Sequence, residues 1–241
     1  MTNSLEELLR EITSDPALEN DFYNKWMSEI FTIEQLEVFV RNYGAFVKAF
    51  PDAMATLIGT TDDIEAKSEY VKTLYSEMGY GNPTKAHSVL FKVFFNELSK
   101  KLGENGRLDP DRLEKEIEVL PTTRELIDGE QELYGDPQMA FGAQLALEWQ
   151  AYTMVRQLYE GARNYTSCWS NADEFHEACE YFYVHIGAAE KEHKDESLHA
   201  MRRYARDEES IARIHRGYRE HLSLIAGFWN GLYESTRRMA A

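Results

Sequence analysis

Cysteine is scarce in this chain, and its placement excludes two kinds of structure. Only Cys168 and Cys179 occur among 241 residues, and they form no Cys-x-x-Cys pair. A disulfide-rich scaffold needs more cysteines, and a thiolate zinc site needs closely spaced ones. We therefore expect an intracellular protein, in the cytoplasm, without disulfide bridges.

Long apolar runs and basic segments are also missing. No apolar run approaches the roughly 20 residues that span a bilayer, and the N-terminal residues are polar and acidic, unlike a secretory leader. The 42 acidic against 26 basic side chains give a net charge of -16, which repels phosphate backbones. We expect neither a membrane nor a nucleic acid as a partner.

Long stretches of the sequence have the periodicity of amphipathic helices. Its 14 glycines and six prolines fall between long stretches with apolar residues at three- and four-residue spacing, which is the period of amphipathic helices. This length suits one buried core, so we expect an all-α protein with a single domain over residues 1–241. We predict helices over residues 3–13, 17–29, 33–58 with an interruption at Pro51, 63–78, 84–101, 110–132 in two pieces, 137–163, 172–204 and 207–238. Asn82 before Pro83 and Asp136 before Pro137 are predicted helix starts, because a side-chain acceptor there caps free amides.

Glutamate and histidine lie on otherwise apolar faces of these helices. Glu148, His185 and His87 have mainly apolar neighbours on their own faces. Glu77 lies in the last turn before Gly79, where the helix dipole disfavours an anion unless a cation is near. One such residue alone is typical of a hydrogen-bonded core group or a solvated helix end. Their recurrence on several helices is typical of two-metal carboxylate sites in bundles, and mixed imidazole and carboxylate ligands suit iron or manganese.

The segment after His185 leaves alternatives open. His193 lies eight residues on, about 80° around a regular helix, and Glu190 lies still farther round. A single π-turn within residues 186–189 would align His185, Glu190 and His193. Glu192 is seven residues after His185 and aligns without a π-turn. A solvated charged face is the third interpretation.

These residues resemble the haem-oxygenase-like diiron oxidases and oxygenases, relatives of the chlamydial death-domain-associating protein. The resemblance runs through SEMGYGNPTKAHSVLFKVF, LALEWQ and YFYVHIGAAEKEH, and in outline through most of the chain. It implies a haem-oxygenase-like (TenA-like) bundle of about seven core helices that holds two Fe(II) ions, with manganese as the substitute metal. The metal ligands that it implies are Glu77, His87, Glu148, His185, Glu190 and His193, with Glu148 as the bridge.

The resemblance also implies a function. It implies an oxidoreductase that uses O2 to oxidise a small amino acid, amine or fatty acid, with electrons from a donor that the sequence does not identify. Relatives are often dimers, so a homodimer is an expectation. A carboxylate anchor is expected near the metals, for which Arg156 and Arg163 are candidates. Tyr152, one turn from Glu148, is a second substrate-binding candidate; surface arginines and a core tyrosine are the simpler interpretations.

Two departures from the family pattern bear on this function. The last ligand stretch is one residue too long for the family spacing. Family members that build p-aminobenzoate from their own tyrosine also use a lysine after the second glutamate, and this chain has none between Lys115 and Lys191. We do not expect that self-consuming activity here.

Two other functions are alternatives on the same bundle. One alternative is a metal-free enzyme, like the thiaminases or the PQQ synthase, and another is a non-enzymatic interaction protein. Neither cysteine lies on the segments that carry the Glu and His residues, which disfavours a thiol nucleophile. Haem is not expected, because haem oxygenase uses a histidine near its N-terminus and the first histidine here is His87.

Overall fold

The computed structural model describes Leu9 and residues 12–186 and 189–239, with the side chains of residues 189–193 outside that description. Over the described residues the chain forms eleven α-helices and no strand. The helices are α1 (Asp21–Ser28), α2 (Ile33–Thr60), α3 (Ile64–Glu77), α4 (His87–Lys101), α5 (Pro110–Glu116), α6 (Pro121–Tyr134), α7 (Pro137–Ala162), α8 (Ala172–Ala178), α9 (Glu180–Ile186), α10 (Ala189–Tyr204) and α11 (Glu208–Arg238). Short 3-10 helices lie at Ile12–Ser14, Gly79–Gly81, Pro83–Lys85 and Arg163–Cys168.

The all-α prediction is confirmed, but the number and limits of the helices differ from it. The described part has eleven helices where about seven core helices were expected. The predicted helix over 172–204 is divided into α8, α9 and α10, and the first of these breaks lies at Cys179. The helix predicted over 17–29 begins only at Asp21, because the Asn20 side chain accepts the Tyr23 N–H as its N-cap. Most of the helix predicted over 3–13 lies outside the described residues.

The interruption predicted at Pro51 is wrong, because α2 runs through this residue without a break. Proline removes one backbone donor and crowds the preceding turn. Packing on both sides compensates, since Phe50 is 8% exposed and Met54 is fully buried. Tertiary burial along a long helix therefore outweighs the local preference of one residue.

The predicted capped start of α7 is confirmed. The Asp136 side chain accepts the backbone N–H groups of Gln138 and Met139, both at 3.2 Å, and Pro137 takes the first helical position. Asn82 likewise accepts the Thr84 N–H at 3.1 Å, although the turn that it begins is a short 3-10 helix ahead of α4.

Helix α7 is the centre of the bundle and packs against α1, α6, α9, α10 and α11. Its closest approach is to α11, where two glycines meet opposing backbone. A Cβ on Gly142 would overlap the Ile214 carbonyl, and one on Gly217 would overlap the Met139 carbonyl. The absence of two side chains therefore lets α7 and α11 touch and buries their facing sides.

An aromatic core holds the N-terminal helices against α11. Phe22 stacks on Trp229 with ring centroids 5.2 Å apart, and Tyr43 stacks on the same indole at 5.7 Å. The Trp26 indole donates to the Leu158 carbonyl at 2.8 Å, which ties α1 to α7. These rings are almost completely buried and place Tyr43 next to the site described below.

Within the described residues, no helix combines the length and the apolar character needed to cross a membrane.

Candidate metal centre

A left-handed turn brings Glu77 and His87 together. Glu77 is the last residue of α3 and His87 the first of α4. Between them Gly79, Tyr80 and Gly81 have φ of 69°, 54° and 84°, a region that favours glycine. This run of positive φ reverses the chain, so residues ten apart in sequence become neighbours.

Gly79 is needed for a second reason, which is the close approach of two backbone segments. A Cβ on Gly79 would lie 2.5 Å from the Lys85 carbonyl carbon and 2.7 Å from the Ala86 nitrogen. These atoms directly precede His87. The turn also connects to α9 through Lys85, whose Nζ lies 2.6 Å from a Glu180 carboxylate oxygen.

The contact between Glu77 and His87 has the spacing of two ligands on one ion. His87 Nδ1 lies 2.9 Å from Glu77 Oε2, and both side chains are largely buried. This nitrogen nevertheless has no partner with hydrogen-bond geometry among the described residues. Two donor atoms that each bind a metal at about 2.1 Å, at a right angle, are about 3 Å apart. The 2.9 Å separation is therefore compatible with two ligands of one cation.

His185 on α9 completes a group of three. Its Nδ1 lies 2.7 Å from the Tyr181 carbonyl, which can only accept, so Nδ1 carries a proton and Nε2 is the ring nitrogen that a metal would use in the neutral imidazole. The same arrangement orients metal-binding histidines in known sites. The His87 and His185 rings are 4.4 Å apart between centroids.

Among the described residues, one group of ligand atoms is close enough to hold a metal ion. One ligand atom from each of Glu77, His87 and His185 lies within 4.8 Å of the other two. Two imidazoles and a carboxylate, without a thiolate, suit iron or manganese. The three residues come from helix ends whose packing, α9 on α4 and α3 joined to α4 by the turn, holds them together.

Glu148 lies outside this group of three but lines the same small cavity. The side chain is 4% exposed, on the central helix α7. Its Oε1 accepts a hydrogen bond from Gln144 Nε2 at 2.6 Å, and the Gln144 Oε1 accepts from the Tyr134 hydroxyl. This hydrogen bond holds one carboxyl oxygen of Glu148 in place beside the cavity.

The cavity has a polar wall and an apolar wall. Its volume is about 50 Å³. Glu77, Glu148 and His185 form the polar wall. The remaining lining residues are Tyr43, Phe46, Val47, Phe50, Leu147, Ala151, Met154, Val155 and Tyr181. Among these lining residues no lysine or arginine occurs, so the carboxylates gain no charge compensation from a basic side chain in the cavity wall.

The two predicted substrate-binding residues lie elsewhere on α7. Tyr152 is 38% exposed, and the Lys194 ammonium lies 5.6 Å from its ring centre. Arg156 is exposed, and neither residue lines the cavity. Arg163 forms a surface ion pair with Glu160 at 2.7 Å. The face of α7 that reaches the cavity carries Ala151 and Val155 instead.

Two predicted ligands, Glu190 and His193, have side chains outside the described residues, as has the alternative Glu192. The predicted π-turn also falls there in part, since α9 ends at Ile186 and α10 begins at Ala189. These assignments stay predictions.

The sequence interpretation missed a second buried pair, Glu130 on α6 and His221 on α11. Their side chains are 1% and 0% exposed, and His221 Nδ1 lies 3.8 Å from Glu130 Oε1, too far for a hydrogen bond. Burial raises the pKa of Glu130 to about 8 and lowers the pKa of His221 to about 3. Both groups are therefore mainly neutral at pH 7. Both residues lie on apolar helix faces, and this is the same sequence pattern that singled out Glu148.

Replacing Gly79 by alanine is expected to lower both stability and metal affinity. The new Cβ meets backbone at 2.5 Å in a left-handed conformation, so strain of about 1–3 kcal/mol or more follows. Relief of that strain moves Glu77 away from His87. Thermal unfolding of the metal-free variant and an anaerobic Fe(II) titration measure the two effects.

Gly81→Ala is the matched control for this prediction. Gly81 also has positive φ, but its Cβ would meet nothing closer than the Tyr75 ring at 3.5 Å. The control should lose stability through its backbone conformation alone. Equal loss of Fe(II) affinity in both variants would contradict the role given to the close approach at Gly79.

Comparisons with known proteins agree with this geometry. A family described as iron-containing redox enzymes matches residues 37–226. The chain is 32% identical over 114 residues to the 4-aminobenzoate synthase of Chlamydia muridarum, and this match spans 47% of each chain. It is 25% identical over 232 residues to the 4-chloro-allylglycine synthase of Streptantibioticus cattleyicolor, which covers 95% of this chain and 82% of that protein. The chain thus spans about half the length of the 4-aminobenzoate synthase that it matches.

Solved structures show the same fold at low sequence identity. A CADD-like protein of unknown function from Nostoc punctiforme superposes with a TM-score of 0.74 at 16% identity, over 97% of each chain. A TenA homologue from Pseudomonas syringae has a TM-score of 0.69 at 12% identity, over 95% of this chain and 92% of that one. A Shewanella denitrificans domain with a haem-oxygenase-like fold has a TM-score of 0.67 at 13% identity, over 100% of this chain and 94% of that one. The expected haem-oxygenase-like and TenA-like architecture is confirmed.

Proposed function

Because the chain belongs to the family of iron-containing redox enzymes, we propose that it is a non-haem diiron oxidase or oxygenase that uses O2 to oxidise a small organic substrate. The observation that carries this proposal is the convergence of Glu77, His87 and His185 from three helices. Iron in this site would supply the electrons that reduce O2, a reaction that protein side chains do not perform.

Six side chains would hold the two ions. Glu77, His87 and His185 would hold one iron, Glu148 would bridge, and Glu190 and His193 would complete the second. Support for this division comes from the Tyr181 carbonyl, which orients the His185 ring, and from the Gln144 amide, which holds one carboxyl oxygen of Glu148. Burial of His87 and Glu148 limits the access of bulk water. Manganese fits the same donor set.

The cavity supports a substrate with a compact apolar part. Phe46, Phe50 and Met154 line the wall beside the carboxylates and would contact its carbon skeleton. The names of the two relatives refer to 4-aminobenzoate and 4-chloro-allylglycine, and both compounds carry an amino and a carboxylate group. We therefore propose a small amine or carboxylate substrate, such as an amino acid or a fatty acid. An external electron donor, a homodimer and a single cytoplasmic domain complete the proposal.

The properties of the two cysteines argue against a metal-free enzyme with a thiol nucleophile. Burial raises the pKa of the Cys179 thiol to about 12, so it stays protonated near neutral pH and is a poor nucleophile. Neither Cys179 nor Cys168 lines the cavity. A thiol-dependent hydrolase would need a thiolate beside the bound substrate.

An anaerobic Fe(II) titration tests the proposal, with binding of two irons per chain as the expected result. Two separate variants, Glu190→Gln and Glu192→Gln, test which residue binds the second iron. Glu190→Gln should bind only one iron tightly, and Glu192→Gln should still bind two, because only the former removes a proposed ligand. Oxygen uptake by the reduced protein, followed with an electrode while amino acids, amines and fatty acids are added, then narrows the substrate.

Two results would refute this proposal. One is wild-type protein that binds no iron under these conditions yet converts a substrate at full rate. The other is a protein that binds two irons but consumes no O2 in the reduced state. Loss of the second iron in Glu192→Gln instead of Glu190→Gln would leave the function standing and reverse the ligand assignment.

A further inference from the structure

A buried hydrogen-bond chain leads from α6 to Glu148. The Tyr134 hydroxyl donates to Gln144 Oε1, and Gln144 Nε2 donates to Glu148 Oε1 at 2.6 Å. Tyr134 and Gln144 are completely buried and Glu148 is 4% exposed. Because water does not reach Tyr134 and Gln144, their polar groups depend on contacts within the protein, which this chain supplies.

The hydrogen-bond chain from Tyr134 to Glu148 has a defined direction. A phenol hydroxyl in this place donates its proton, which assigns the Gln144 carbonyl to the Tyr134 side and the amide NH2 group to the Glu148 side. The NH2 group donates to Glu148 Oε1, so this carboxyl oxygen is the acceptor at the end of the chain. If the amide turned over, its oxygen would face a carboxylate oxygen and repel it.

Gln144 and Glu148 are four residues apart on α7, so they lie on the same face of a straight, buried helix. A glutamate has three rotatable side-chain bonds, and the cavity wall beside Glu148 is largely apolar. The hydrogen bond from the Gln144 amide restricts the rotation of this carboxyl group. Groups of this kind, one step behind a metal ligand, typically change metal affinity 10–100-fold when they are removed.

We propose that Gln144, with its amide oriented by Tyr134, is the positioning residue that holds Glu148 ready to bind metal. This inference rests on the proposed iron centre. Gln144 does not touch the metal or the substrate in this proposal and acts only through Glu148. Tyr134 acts one step farther away, through Gln144.

The central α7 helix offers a matched control. Gln150 lies two residues beyond Glu148 and is completely buried as well. Both polar atoms of its side chain lack a hydrogen-bond partner among the described residues. Gln144→Met and Gln150→Met therefore make the same change of shape and polarity on one helix, and only the first removes a donor to Glu148.

The test measures Fe(II) affinity of the full chain by anaerobic competition with a chelator. Gln144→Met should weaken binding about 10–100-fold, while Gln150→Met stays within about twofold of wild type. Tyr134→Phe should weaken binding less than Gln144→Met, because the amide donor is retained but loses its orientation. Co(II) bound in place of iron gives a second readout, because its visible absorption spectrum responds to ligand orientation. The spectrum should change in Gln144→Met and Tyr134→Phe and not in Gln150→Met.

Several outcomes decide the proposal. Wild-type affinity and an unchanged Co(II) spectrum in Gln144→Met, alongside weak binding by Glu148→Ala, would overturn the positioning role and leave the iron centre intact. Equal loss in Gln144→Met and Gln150→Met would also overturn it, because the effect would then be one of packing. A wild-type protein that binds no iron would overturn both proposals. If Gln144→Met does not fold, Tyr134→Phe carries the test, since it keeps the buried ring.

Discussion

Replacing His185 by alanine is expected to lower Fe(II) affinity by at least about 100-fold, since removal of a ligand exceeds the effect of removing its supporting group. Glu148→Ala should have a comparable effect, because the proposed bridge serves both ions. Helicity should hardly change in either variant, because His185 is only partly buried and Glu148→Ala removes a polar group from a largely apolar cavity wall. Metal analysis after anaerobic loading and circular dichroism give the two readouts.

His176→Ala is the control for the loss of an imidazole. This residue lies on α8, is exposed, and does not line the cavity. It should retain the iron content of the wild type. If His185→Ala and Glu148→Ala both kept two irons per chain, the proposed ligand set would be wrong.

Glu130→Gln is expected to stabilise the protein at alkaline pH and to have little effect near pH 5. The pKa of Glu130 is about 8 in the folded chain against an ordinary 4.5. A raised pKa gives stability that is complete below the unfolded value and is lost as pH rises towards the folded value. Over that range wild type loses on the order of 4 kcal/mol through this group, from about 1.4 kcal/mol per pH unit. The glutamine variant does not titrate and avoids the loss.

Urea unfolding at pH 5 and pH 8 measures this difference. Glu132→Gln, on the exposed side of the same helix, is the control and should follow the wild-type pH dependence. If Glu130→Gln lost as much stability between pH 5 and pH 8 as the wild type, Glu130 would not be the group responsible.

His221 contributes to the pH dependence of stability on the acid side. Its pKa of about 3 lies below the ordinary 6.5, so the stability that it contributes is present above pH 6.5 and is lost as the pH falls towards 3. Together the two groups should give a stability plateau between roughly pH 4.5 and 6.5, where the gain from one offsets the loss from the other.

The helices with strong local signals were predictable, and those whose limits depend on packing were not. Asp136 followed by Pro137 contains the cap and the first residue of α7, so its start needed no tertiary information. Pro51 is the opposite case, because its local preference predicts a break and buried neighbours keep the helix continuous. The division at Cys179 likewise separates helices that share one amphipathic period in the sequence.

The candidate site was predictable in its residue types but not in its supporting contacts. His87 and His185 were predicted as ligands from their apolar neighbours, Glu77 from its place at a helix end, and all three from the family resemblance; the structure brings one ligand atom of each within 4.8 Å of the others. Their direct partners lie one turn away on the same helices, the Tyr181 carbonyl for His185 and the Gln144 amide for Glu148, and only Tyr134, which contacts Gln144, comes from a different helix, α6. Tyr152 and Arg156 show the limit of angular reasoning, since they lie only about 40° and about 80° around the helix from Glu148 and are nevertheless at the surface.

The amino-acid order alone determined the all-α class, most helix starts, and the presence of acidic and imidazole groups on apolar faces, because periodicity and capping act over a few residues. Only the folded chain decided which of these groups meet, because that depends on one left-handed turn at Gly79, on the glycine contact between α7 and α11, and on the rotation of each helix about its axis. Burial then separated two kinds of glutamate that look alike in sequence. Glu148 has an amide donor and stays a candidate ligand, whereas Glu130 has none for Oε1 among the described residues and is mainly neutral.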